Sequence, residues 1–214
     1  SSISVATEAE HPLEPQDLSS PRATLSTFLA MGDTLQNLLS EEYWHTPNRA
    51  AVNRMIKTST AQERLLDLSE IAPAARKELG RDGVIYLYEV LSRIKLPPGA
   101  DIPDATAYAQ ATGGKPASAG KQLSWTIPHT DITLVRITEG PREGEFLFSS
   151  TTVARAKEFY EKTRRRTYRR DVPLKNYADM RPYLTMNGWM ISSRTIEGFP
   201  DWLKRSVYRH AVWK

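Results

Sequence analysis

Apolar positions recur at helical spacing through the first half of the chain and then switch to alternation, and that switch predicts an α+β fold. Ser19-Ser20-Pro21 places a capping hydroxyl ahead of a proline suited to the first helical position. Leu25, Phe28, Leu29, Leu35, Leu38 and Leu39 follow as one apolar stripe, which Pro47 breaks. A second helical region is expected from about Thr60 to Leu68, capped by Ser59 or Thr60. A third starts near Asp82, with Val84, Leu87, Tyr88, Leu91 and Ile94 on one face, and Leu96-Pro97-Pro98-Gly99 stops it. Later, Leu123, Trp125 and Ile127 alternate with polar residues, as do Ile132, Leu134 and Ile137. The turn Glu139-Gly140-Pro141-Arg142-Glu143-Gly144 leads into Glu145-Phe146-Leu147-Phe148. This pattern predicts a β-hairpin with a third strand before it. Ser149 to Thr152 offer caps for a helix carrying Val153, Ala156, Phe159 and Tyr160 on one face, and Pro200-Asp201-Trp202-Leu203 opens a short C-terminal helix.

The organisation that follows is an extended leader over 1–18, a helical subdomain over 19–104, a linker over 105–121, and a hairpin-plus-helix subdomain over 122–214. The linker is rich in Ala, Gly, Ser and Thr and contains Gly113-Gly114. The expected architecture is an N-terminal helical layer packed with a small antiparallel sheet and C-terminal helices.

With 214 residues and ordinary globular composition, the chain can bury a sizeable core. It contains no cysteine, which removes disulfides, thiolate metal sites and a cysteine nucleophile from consideration. Net charge is +4 but uneven: Val153 to Lys214 holds 15 Lys+Arg and 6 Asp+Glu of the chain's 29 and 25, leaving the remainder acidic. An acidic body with a basic C-terminal part points to an anionic partner there.

Chemical motifs are weak. Gly114 to Lys121 has the wrong spacing for a phosphate-binding loop, with Gln122 where a metal-binding hydroxyl is needed. His11, His45, His129 and His210 show no helical metal-ligand spacing. Asp131 lies two residues from His129, and both read as turn residues leading into a strand. Glu139, Glu143 and Glu145 cluster at the hairpin, where solvated charges discourage edge pairing. No catalytic, cofactor-binding or metal-binding residue is assigned, and no cofactor is expected.

Two features point outward. Lys162, Arg164, Arg165, Arg166, Arg169 and Arg170 surround Tyr168 and are candidates for contact with anionic lipid or an acidic partner. An ordinary solvated helix end is the plainer explanation, and nucleic acid is not expected for want of any accompanying motif. Trp202, Tyr208 and Trp213 interleave with Lys204, Arg205 and Arg209, a mixture typical of chain approaching a membrane interface.

Several stretches, in order, resemble a known family. They are Ser19-Ser20-Pro21-Arg22-Ala23-Thr24-Leu25, Leu66-Asp67-Leu68-Ser69-Glu70-Ile71, and Glu89-Val90-Leu91 with Ile94 and Leu96-Pro97-Pro98. Trp125-Thr126-Ile127-Pro128 follows, then Asp131-Ile132-Thr133, then Glu139 to Ser149; after these come Phe159-Tyr160, Gly188-Trp189-Met190-Ile191 and Pro200-Asp201-Trp202-Leu203. The set is similar to the extracytoplasmic N-terminal region of some bacterial small-conductance mechanosensitive channels. The resemblance spans most of the chain from about Asp17 and implies a non-catalytic domain on the periplasmic face of the inner membrane. It implies that chain near Trp213 runs on into a membrane helix, and that protomers of a homo-oligomeric channel are its partners, with anionic lipid or another envelope component as a further contact. A periplasmic module binding a small ligand or protein is the alternative. A hydrolase built on the hairpin glutamates or the His129–Asp131 pair is the third.

Overall fold

Ser20 starts the first helix as its position predicts: its hydroxyl accepts from the Ala23 amide at 3.2 Å, and Pro21 follows as the first helical residue. The computed structural model describes residues 16–43, 48–107 and 124–179. Helix α1 (Pro21–Asn37) continues into a π-helical turn, Leu38–Tyr43. Helix α2 spans Arg49–Glu63 and helix α3 spans Pro73–Arg93.

Both α2 and α3 begin well before the positions expected from apolar spacing. Asn48, whose side chain accepts from the Ala51 amide at 2.7 Å, caps α2 in place of Ser59 or Thr60. That helix buries only Ala51 and Gln62, so it has no stripe to reveal its start. Leu66 is not helical but bridges in parallel to Phe148. The first half of α3 is largely exposed and carries no apolar rhythm, whereas from Gly83 to Arg93 all but Tyr86 are buried. Polar residues enclosed there have no counterpart in an amphipathic pattern.

The alternating segment forms three antiparallel strands in the order β1 (Ser124–Thr126), β2 (Thr133–Arg136), β3 (Phe146–Phe148), as expected. Trp125 faces Leu134, and Val135 faces Leu147. The β2–β3 turn depends on Gly140 and Gly144 at φ 86° and 93°, a region costly for residues bearing Cβ. Strand β3 is bonded along both edges. Beyond its pairing with β2, Phe146 donates to the Leu18 carbonyl at 2.7 Å and Phe148 to that of Leu65 at 2.9 Å. The Asp67 amide and the Thr24 hydroxyl donate back to the carbonyls of Phe148 and Phe146, each at 2.8 Å. All three residues of β3 are buried.

Ser149 then caps a short helix α4 (Ser150–Ala154), and after a break at Arg155 helix α5 runs over Ala156–Thr163. Val153, Ala156, Phe159 and Tyr160 all face the core. Tyr160 stacks on Tyr86 of α3 with ring centres 5.2 Å apart, and Phe28 of α1 meets Phe148 edge-on at 4.8 Å. One apolar cluster therefore gathers residues of α1, α3, the sheet and α5. Residues 1–15, 44–47, 108–123 and 180–214 lie outside the described residues, including most of the leader, the break expected at Pro47, most of the linker and the helix expected from Pro200.

Helix α1 approaches α3 closely at Gly32, where a Cβ would sit 2.1 Å from the Tyr88 ring. Replacing Gly32 by Ala forces the ring or a helix to move and is expected to cost about 1–3 kcal/mol, the usual range for overpacking. Urea denaturation reads the change directly; an unshifted midpoint contradicts so close an approach.

Candidate functional site

The second half of α3 carries a charge pair where an apolar residue would normally stand. Glu89 and Arg93 are one helical turn apart, form an ion pair, and have fully buried side chains. Such a pair is tolerable only if its remaining donors and acceptors are met. Residues beyond α5 meet most of them, leaving Arg93 Nε buried without a partner among the described residues. The Tyr168 hydroxyl donates to Glu89 Oε2 at 2.7 Å, and the Tyr177 amide donates to Oε1 at 2.8 Å. Arg93 donates to the Tyr168 oxygen at 2.6 Å and to Asn176 Oδ1 at 2.8 Å, and its guanidinium lies 4.0 Å over the Tyr168 ring. Asn176 holds a left-handed φ of 57°, and its amide donates to the Tyr168 hydroxyl at 2.6 Å. Burial, with the adjacent Glu89 carboxylate, raises the Tyr168 pKa, so the phenol stays a donor.

A second clasp lies beside the first. Arg170 pairs with Asp33 of α1, which also accepts from the Tyr88 hydroxyl. The Arg169 amide donates to the Ser92 carbonyl at 2.8 Å, and the Leu174 amide to Gln36 Oε1 at 3.0 Å. Residues 168–177 are thus fastened to both α1 and α3 by polar contacts.

The structure divides the six basic candidates. Lys162 pairs with Glu158 at 2.6 Å, Arg164 with Glu161 at 3.1 Å and Asp179 at 3.4 Å, and Arg170 with Asp33. Arg165, Arg166 and Arg169 are exposed and have no ion pair among the described residues. Trp202, Lys204, Arg205, Tyr208, Arg209 and Trp213 lie outside the described residues.

The hairpin glutamates and the His129–Asp131 pair do not meet in one cleft. Asp131 is engaged by Arg155 at 3.1 Å, and Glu145 by Arg142 at 2.6 Å, whose other nitrogen donates to the Arg64 carbonyl. Glu139 and Glu143 are exposed at the hairpin turn. His129, exposed and at φ 62°, sits in the β1–β2 turn at the lip of an open cavity of about 390 Å³. Val90, Ile94, Ile132 and Phe159 form its apolar lining, with Asp131, Lys162 and Arg166 at its margin. No group of three or more metal-ligating side chains occurs among the described residues, and none of their helices is long and apolar enough to cross a membrane. Comparison with known protein families, curated proteins and solved structures finds no match to this chain.

Glu89 and Arg93 escaped notice as a pair because acid and base at that spacing usually mark a solvated helix face. The available signal was their place inside an apolar run, between Tyr88 and Ile94.

Two measurements probe this geometry. Arg93→Met leaves Glu89 buried without its cation and is expected to cost about 3–5 kcal/mol, while Tyr168→Phe, which keeps the ring and removes the shared hydroxyl, costs about 1–3 kcal/mol. Amide hydrogen exchange over 168–177 should accelerate in both variants; protection equal to the parent's rules the clasp out. Separately, Arg155 and then Lys162 hold the Glu158 carboxyl down to about 2. A depressed carboxyl contributes stability that is complete above its ordinary value near 4.5 and is lost as pH falls from there towards 2. Carboxyl NMR titration should find Glu158 at the low value, and Arg155→Gln should move it upward.

Proposed function

We propose that this chain is a non-catalytic extracytoplasmic accessory domain of a small-conductance-type mechanosensitive channel, coupled through its C-terminal side to the membrane part. The ordered set of motifs from Ser19 to Leu203 supports the family. The observation that carries the mechanical reading is the buried Glu89–Arg93 pair, to which Tyr168, Asn176 and Tyr177 are bonded.

Chain beyond Asp179 is covalently continuous with this clasped segment. A load applied there meets the core contact of Ala178 together with the hydrogen bonds of Tyr177, Asn176 and Tyr168 to a buried charge pair, and then passes into α3 and, through Arg170 and Asp33, into α1. Charge-assisted bonds are short-ranged and directional, so the attachment is stiff until it breaks. Such an element suits a domain that biases a gate. Catalysis requires a different arrangement, with acids and bases meeting in one cleft, whereas Asp131 and Glu145 are bound to arginines. Neighbouring protomers of the channel are the expected partners, and Arg165, Arg166 and Arg169 are available to an anionic component of the envelope.

The test has two arms. The reading frame past Lys214 should encode an apolar helix of roughly 20 residues; a frame without one overturns the proposal. In the full-length protein, patch-clamp recording of Tyr168→Phe should show an altered opening tension, and an unchanged threshold removes the coupling role while leaving the family reading standing. A periplasmic binding module is the second reading, favoured by the cavity beside His129.

A further inference from the structure

Along one side of that cavity the charges form a ladder. Asp131 bonds Arg155 at 3.1 Å, Arg155 bonds Glu158 at 2.9 Å, and Glu158 bonds Lys162 at 2.6 Å. Signs alternate, each charge held by the next. Arg166, which also lines the cavity, follows Lys162 in the sequence by the same four-residue step but has no carboxylate among the described residues. Two cations thus border the cavity at this end, Lys162 paired with Glu158 and Arg166 without a carboxylate among the described residues. Behind this end Ile94 and Phe159 supply the apolar lining, with Val90 and Ile132 almost fully buried beneath them, and His129, Thr130 and Thr163 line the rest.

We propose that the cavity binds a small anionic amphiphile, with a phosphate or carboxylate head between Lys162 and Arg166 and a short hydrocarbon body against Val90, Ile94 and Ile132. Charge complementarity selects the head. A guanidinium receives a phosphate or carboxylate through paired N–H donors, and a neighbouring ammonium adds a point charge. Area burial selects the body, because the apolar part of the lining gains from displacing water. A volume of about 390 Å³ falls at the lower end of the range for small-ligand sites. Asp131, which also lines the cavity, has its charge partly offset by Arg155.

The proposal stands independently of the channel reading and needs only the purified 214-residue chain. Titration calorimetry with n-octyl phosphate, inorganic phosphate and 1-octanol separates head from body. Octyl phosphate should bind at least about tenfold more tightly than either of the others, the usual consequence of losing one charge-assisted contact or a buried chain. Arg166→Gln should weaken octyl phosphate about tenfold, whereas Arg165→Gln, a neighbouring exposed arginine that does not line the cavity, should leave it within about twofold. Methyl NMR should place the chain at Val90, Ile94 and Ile132. Equal losses from Arg165→Gln and Arg166→Gln signify diffuse attraction to a basic surface and overturn the site. Inorganic phosphate binding as tightly as octyl phosphate, unperturbed Ile94 and Ile132 methyls, or no binding at all overturns it as well.

Discussion

A buried acid and base on a single helix govern how the chain after α5 is arranged. Glu89 and Arg93 are out of water, and an ion pair so placed survives only when nearly every lone pair and proton around it has a partner. The partners come from 168–177, and they are specific. One is a phenol that donates to the carboxylate while accepting from the guanidinium; one is an asparagine in a left-handed turn; one is a backbone amide. An apolar seam would accept many registers for this segment, but here a slip of one residue removes several bonds to charged groups together. Polar burial therefore fixes the register of a segment that Val172 and Ala178 also anchor in the apolar core.

The same demand for hydrogen-bond partners shapes the sheet. Strand β3 is only three residues long, yet its amides and carbonyls are bonded on both sides. Leu18 and Leu65 lend carbonyls from regions far apart in sequence, and Asp67 and Thr24 lend donors. So short a sheet would be marginal alone. Being the meeting point of the entry to α1, the α2–α3 connection and the hairpin, it becomes the place where the helical half and the β half are joined.

Legibility in the sequence follows from these facts. Where structure is made by exposed caps and one-sided burial, it could be read: Ser20-Pro21 began α1, Gly140 and Gly144 made the turn, and Val153, Ala156, Phe159 and Tyr160 formed the buried face predicted for them. The start of α3 was hidden because its first turns touch little, and α2 was hidden because its buried side chains include a glutamine. The clasp was the least visible part. A Glu–Arg step reads as a surface pair until the tyrosine and asparagine that cover it, some eighty positions away, are placed. Likewise the basic run looked like one patch, and only packing separated the arginines bound to Asp33 and Asp179 from those left facing outward.

The absence of a side chain at Gly32 has a mechanical corollary. With the Tyr88 ring seated against bare backbone, longitudinal slip of α1 by one turn would bring Phe28 or Gln36 beneath the ring, and neither position has room for it. Sliding one helix along the other by a turn therefore has to displace the Tyr88 ring first, which ties the position of α1 along its axis to the seat of one side chain on α3.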